Sequence, residues 1–135
     1  MDVERERARD TWLFPVGAIV ALLAVAFGAF GAHALEGKLD ARALRSFETA
    51  TRYQMYHAVA LLLTGLAAAQ WPHQRATRAA GIAFSVGLVA FCGSLYALAF
   101  GSPRAFGAVA PIGGIAFMIG WGALAVAGVV GSRPR

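Results

Sequence analysis

Apolar residues in this chain do not alternate with polar ones; they run on. Four stretches, 13–32, 53–71, 79–100 and 111–130, carry no Asp, Glu, Lys or Arg. Each is close to the ~20 residues that, at about 1.5 Å rise per residue, cross a ~30 Å hydrocarbon layer as a helix. The pattern predicts an all-α protein with four transmembrane helices. Pro15 and Pro111 fall in the first turns of spans one and four, where a missing N–H costs least. Pro72 comes directly after Trp71 and stops span two. The turn after it, 73–78, is short and basic, so spans two and three are expected to be antiparallel neighbours. Residues 101–110, rich in Gly and Pro, read as a loop.

The longest polar insert separates spans one and two. Asp40 is placed to cap a helix. After it Ala43, Leu44, Phe47, Ala50 and Thr51 recur on one side, with Arg42, Arg45, Glu48, Thr49 and Arg52 on the other. This predicts an amphipathic segment over 41–52, lying on the membrane or on the helices and able to run into span two. Glu48 and Arg52 stand four apart in the favourable order. The expected architecture is therefore an integral membrane four-helix bundle with an amphipathic interfacial helix between spans one and two. It forms a single membrane domain over 1–135, with a polar segment at 1–12.

Within the apolar runs, small residues recur at helical spacing. Gly28 and Gly31 end span one. Gly81/Ser85 and Gly93/Ala97 form small-xxx-small steps in span three, and Ala116/Gly120 another in span four; such steps let backbones approach closely. Gly113-Gly114 near the start of span four reads as a close-packing site, with a broken, substrate-binding helix as the competing reading. Trp121, away from either membrane surface, is expected inside the bundle beside Phe117.

Composition supports the membrane reading. Hydrophobic residues make up 59% and charged residues 14%, a balance that a small soluble domain cannot bury. The net charge is +5, but the basic residues sit in tails and loops rather than on one folded face, so nucleic acid is not an expected partner. The lipid bilayer is the expected partner, together with a second copy or another membrane protein. Seven Lys and Arg lie on the side of the termini and the 73–78 turn, against five on the other. The positive-inside rule therefore leans towards cytoplasmic termini in a multi-pass membrane protein. A signal peptide ending at Ala32-His33-Ala34 is the competing reading of span one. Its apolar run is long for that role, and more spans come after it. Cys92, the single cysteine, excludes an internal disulfide and is expected to be inert in an apolar site.

On this topology His33, Glu48, Arg52, Tyr53, Tyr56, His57 and Tyr96 gather on the side away from the termini, forming the candidate functional cluster. His33 and His57 could together ligate haem or a metal, provided their rings face each other at one depth. Without cysteine or carboxylate partners the signal is weak, and no cofactor or metal is expected. The bland reading is helix-end hydrogen bonding. The tyrosines read as interfacial belt residues, and Glu48 with Arg52 as a solvated helix face. No nucleophile is identifiable, so no catalytic residue is assigned.

These residues also carry a resemblance. Gly28-Ala29-Phe30-Gly31-Ala32-His33-Ala34-Leu35 and Phe47-x-Thr49-Ala50-x-x-Tyr53-Gln54-x-Tyr56-His57-Ala58 resemble the small inner-membrane proteins called YgdD-like or YwdK-like, domain-of-unknown-function family 423. Phe91-Cys92-Gly93-Ser94-Leu95-Tyr96-Ala97-Leu98 is similar to that family's FSGSLY-type segment, with Cys92 in place of the usual serine. Pro111-Ile112-Gly113-Gly114, with Gly120-Trp121 further on, is similar to its final PIGG…GW segment. The resemblance covers about residues 15–125. It implies a four-helix membrane protein and brings no activity and no catalytic residues. Three readings of function remain open: a non-enzymatic accessory, assembly or lipid-organising bundle; a small oligomeric permease or channel for a neutral or weakly polar solute; and a haem or metal site on His33 and His57.

Overall fold

The computed structural model describes residue 10 and residues 12–72 and 74–133. The polar segment expected at 1–12 lies outside the described residues except for Asp10 and Trp12, and so does His73 in the basic turn. Among the described residues the chain is helical, with four long helices and no strand. Helix α1 covers Leu13–Leu35, α2 Ala41–Gln70, α3 Arg75–Ala99 and α4 Val109–Gly131, the last preceded by a short 3-10 turn at Arg104–Ala108. Two stretches open into wider π-helical turns: Gly31–Leu35, which ends α1, and Leu88–Cys92 inside α3.

Successive helices run in opposite directions. A Cβ on Gly31 would meet the Phe47 ring at 2.8 Å, and one on Gly17 would meet Ala58 O at 2.9 Å; Gly65 likewise abuts Phe14. The start of α1 therefore lies against the end of α2. Helix α2 touches all three of the others, and α4 packs chiefly on α3. Along that second seam Gly113 abuts the backbone of Phe91, Gly87 abuts the Phe117 ring, and a Cβ on Gly120 would meet the Phe84 ring at 2.6 Å. With water absent as a driving force inside a bilayer, such backbone approach is what lets dispersion hold helices together. The buried centre is Leu13, Ala50, Ala60, Leu61, Ala80, Phe84, Cys92 and Phe117. Outward positions such as Leu22, Val89, Ile112 and Met118 are apolar and exposed. A soluble protein would not present that surface.

Several expectations change. Residues 41–52 are not a separate interfacial helix: they are the first turns of one continuous 30-residue helix, capped by Asp40 Oδ1 accepting from the N–H groups of Arg42 at 2.9 Å and Ala43 at 2.8 Å. Phe47 is fully packed against Gly31, Tyr96 and Phe100, and that contact draws the segment off the surface. The region read as a loop, 101–110, is mostly helical turn; only 101–103 reverses the chain, with Gly101 at φ +89°. Three of the four helices are long and apolar enough to cross a membrane. Helix α2 falls short of that standard because Tyr53, Gln54, Tyr56, His57 and Thr64 interrupt its apolar run.

The small residues divide. Gly31, Gly81, Gly113 and Gly120 sit at tight helix contacts; a Cβ on Gly81 would meet the Leu13 side chain at 2.7 Å. Ser85 and Ala97 are partly buried, and the Ser85 hydroxyl turns back to Gly81 O at 2.8 Å. A Cβ on Gly28 or Gly114 would have only loose neighbours, at 3.6 and 4.0 Å, and one on Gly93 would meet nothing within 4 Å, so Gly93/Ala97 is not a close crossing within the chain. Helix α4 continues unbroken through Gly113-Gly114. Gly113 alone of the pair serves close packing, and the helix is not broken there.

Candidate functional site: two polar junctions on the second helix

The buried face of α2 is not purely apolar. Phe47, Ala50, Gln54, His57, Ala58, Leu61, Thr64 and Ala68 form its inward stripe at spacings of three and four. Three polar side chains on that stripe must find partners, because an unpaired buried polar group costs several kcal/mol in hydrocarbon (roughly 2–7 by transfer).

Gln54 makes the first junction. Its Nε2 donates to Val20 O of α1 at 3.0 Å, and its Oε1 accepts from the Tyr96 hydroxyl of α3 at 2.7 Å. The Tyr96 oxygen also lies 3.1 Å from Thr51 Oγ1, whose proton has a second acceptor in Phe47 O at 3.0 Å. Tyr96 has one proton, and it goes to Gln54. The Thr51 hydroxyl therefore chooses between Tyr96 and its own helix backbone. Three helices are tied at one level by side chains that leave no buried donor or acceptor orphaned among the described residues.

His57 makes the second junction, about one turn further along α2. Trp121 Nε1–H of α4 donates to His57 Nε2 at 3.2 Å. Because indole only donates, Nε2 must be the lone-pair nitrogen, and Nδ1 carries the proton that goes to Tyr53 O at 2.8 Å. The imidazole lies flat on Phe117, with centroids 3.4 Å apart and planes 9° apart. Tyr53 packs on Phe91 at 4.7 Å and Phe84 meets Trp121 edge-on at 5.2 Å, completing an aromatic cluster between α2, α3 and α4. Trp121 is not inside the bundle as its position suggested: its N–H edge reaches the core while 44% of the residue is exposed.

This geometry separates the candidate cluster. His33 sits exposed on the π turn ending α1. By the Gly31–Phe47 register it is level with about position 45 of α2, some twelve residues or ~18 Å along the axis from His57. The two rings do not face each other, and both nitrogens of His57 are already engaged. A bis-histidine site for haem or metal therefore lacks its required geometry within the chain. It requires span two to begin near Tyr53, whereas α2 begins at Ala41. Among the described residues no group of three or more His, Cys, Asp or Glu converges.

Tyr53 and Tyr56 are not at a helix end either. Tyr53 and Tyr56 lie more than three turns inside α2, Tyr53 on Phe91, while Tyr96 belongs to the Gln54 junction. Glu48 and Arg52 are exposed and border a small cavity of about 220 Å³ floored by Gly28, Gly31 and Thr51. Cys92 is buried and free. Of the seven clustered residues, the structure thus joins Tyr53 to His57 and gives Tyr96 to Gln54. It leaves His33 at one rim and Glu48, Arg52 and Tyr56 on the outer surface. Sequence reasoning passed over Gln54, Thr51 as a hydrogen-bonding residue and Trp121 as a donor. The signal for Gln54 was present, since it occupies the same stripe as Phe47, Ala50 and Leu61.

Four helices with apolar outer faces, three of them of membrane-crossing length, and polar side chains turned inward in mutually satisfied pairs define the class: a helical membrane protein. The chain belongs to the family described as "Protein of unknown function (DUF423)", which matches residues 27–114. It is 46% identical over 112 residues to a UPF0382 membrane protein of Staphylococcus epidermidis, covering 83% of this chain and 90% of that one. It is 43% identical over 114 residues to the UPF0382 membrane protein YwdK of Bacillus subtilis, covering 84% and 93%. A UPF0382 membrane protein of Haemophilus influenzae is 40% identical over 108 residues, covering 80% and 86%. No solved structure matches.

Proposed function

We propose that this chain works without enzymatic chemistry, as a multi-pass accessory, assembly or lipid-organising element of the cell membrane. In this reading the four helices form a membrane bundle with both termini in the cytoplasm. One observation carries it. The polar groups of the interior are consumed in tying helices to one another, through Gln54 with Tyr96 and Val20 and through His57 with Trp121 and Tyr53. A catalytic or permeation site needs polar groups free to meet a substrate, and none of these is free. The apolar outer faces, by contrast, are large and available to lipid or to another helix.

The test is twofold. Crosslinking in intact membranes, through photoreactive residues at the exposed Leu22 and Val89, should yield defined adducts with protein or lipid. Proteoliposomes should stay tight over a panel of neutral and weakly polar solutes. Selective flux of any solute would overturn the reading in favour of an oligomeric permease, as would crosslinking that yields no defined adduct. Cytoplasmic termini predict that a cysteine at Ser132, in a Cys92→Ala background, is labelled only after permeabilisation.

A further inference from the structure

The side of the molecule away from the termini carries a second, larger depression that the junctions do not use. It lies between the first turns of α2 and the connection from α3 to α4, with a volume of about 390 Å³. Arg42 comes to it from α2 and Arg104 from the 3-10 turn before α4, so two arginines from separate elements line one groove. Ser102 adds a hydroxyl, Ser46 lines the groove with its own hydroxyl donating to Arg42 O at 3.2 Å, and Leu98 supplies an apolar wall. Asp40 also borders it, but its carboxylate is turned onto its own helix, accepting from Ala43 N–H and Arg42 N–H. Those two bonds hold its pKa below the usual carboxylate value, so it stays an anion fixed on the backbone.

Height matters as much as chemistry. The groove opens where α1 and α3 end, at Leu35 and Ala99, and where α4 has yet to begin at Val109. In a bilayer that level is the boundary between acyl chains and water, where lipid phosphates lie. Phe100 and Phe106 are exposed beside it, as residues that meet acyl chains near the headgroups would be. Arginine is the side chain suited to phosphate oxygens, through its planar fork of donors.

We infer that this groove seats the phosphodiester of an anionic glycerophospholipid, held between Arg42 and Arg104, with Ser102 as a further donor and one acyl chain descending past Leu98. The inference deepens the lipid-organising reading and rests on it for the placement of the groove at the bilayer surface.

The experiment is native mass spectrometry of the full chain in mild detergent, titrated with short-chain phosphatidylglycerol, short-chain phosphatidylcholine or inorganic phosphate. The expected result is one saturable phosphatidylglycerol site, at least tenfold tighter than phosphatidylcholine. It should be weakened tenfold or more in Arg42→Gln/Arg104→Gln and unchanged in Arg75→Gln/Arg78→Gln at the opposite end. Arg42→Lys/Arg104→Lys, which keeps charge but loses the fork, should fall between. Circular dichroism confirms that each variant is folded. Tight phosphatidylglycerol binding that survives Arg42→Gln/Arg104→Gln overturns the site while leaving a lipid-organising role standing. Equal retention of both lipids overturns the headgroup selection, and saturable binding of inorganic phosphate alone overturns the lipid as occupant. Failure to retain any lipid counts against the site and the reading together.

Discussion

The Tyr96 hydroxyl donates to Gln54 Oε1 at 2.7 Å, across 42 residues of chain and between two antiparallel helices. The bond fixes both rotation and depth of α3 against α2, because a one-residue slide would move each partner ~100° around its helix and 1.5 Å along it. Tyr96→Phe keeps the ring contacts with Phe27 and Phe47 but leaves the Gln54 oxygen without its donor. The expected loss is about 0.5–2 kcal/mol, read from unfolding in mixed micelles. Gln54→Leu in the same background should recover part of it. Losses that simply add would show that the two side chains do not interact.

His57 fixes a tautomer. If Trp121 donates to Nε2, the ring is the Nδ1–H form, and the ¹⁵N shifts of labelled His57 should report a protonated Nδ1 and a lone-pair Nε2. Trp121→Phe should release that constraint and alter the Nε2 shift. His57→Ala also removes the Phe117 stack and is expected to cost about 2–4 kcal/mol.

Gly113 and Gly93 should respond in opposite ways to the same methyl group. At Gly113 a Cβ would run into the backbone of Phe91, which cannot swing aside as a side-chain tip would. Gly113→Ala should therefore destabilise by about 1–3 kcal/mol through overpacking. Gly93→Ala points into open space on a helix and should be neutral or stabilising by up to about 1 kcal/mol. Comparison of melting in one detergent decides the matter.

Purified protein should show no haem band and no stoichiometric metal, and His33→Ala should leave absorption, helicity and stability unchanged, since His33 is exposed on the closing turn of α1. A band lost in both His33→Ala and His57→Ala would require the two helices to slide by ~18 Å from their observed register.

Asp40 gives the start of α2 a pH dependence whose sign is set. Its pKa is lowered by the Ala43 and Arg42 N–H bonds, so the ionised cap is in place above the ordinary value of 3.8. Its contribution is lost as pH falls through the lower folded value. Amide exchange at Arg42 and Ala43 should accelerate below that point relative to the rest of α2. Asp40→Asn, which caps without ionising, should remove the pH dependence.

The helical class, the approximate length of each apolar run and the cap at Asp40 were all legible in the chain, because they depend on neighbours in sequence: an uninterrupted apolar stretch, a proline, a capping carboxylate. The continuity of α2 was less so. Residues 41–52 have the pattern of a surface helix, and only the seat of Phe47 against Gly31, Tyr96 and Phe100 draws them into line with the rest of α2. The site was least legible. The grouping of His33 with His57 came from counting residues to expected membrane surfaces, and a shift in where one helix begins moved His57 by three turns. Whether Gln54 meets Tyr96, or Trp121 meets His57, depends on the rotation and register of helices 42 and 64 residues apart. Sequence alone determined that this chain must place its apolar helices in a lipid-like environment, since it has too few polar residues to face water. Tertiary packing decided where the few polar ones went, because each could be satisfied only by a partner that close backbone approach, at glycines such as Gly113 and Gly17, brought within hydrogen-bond reach.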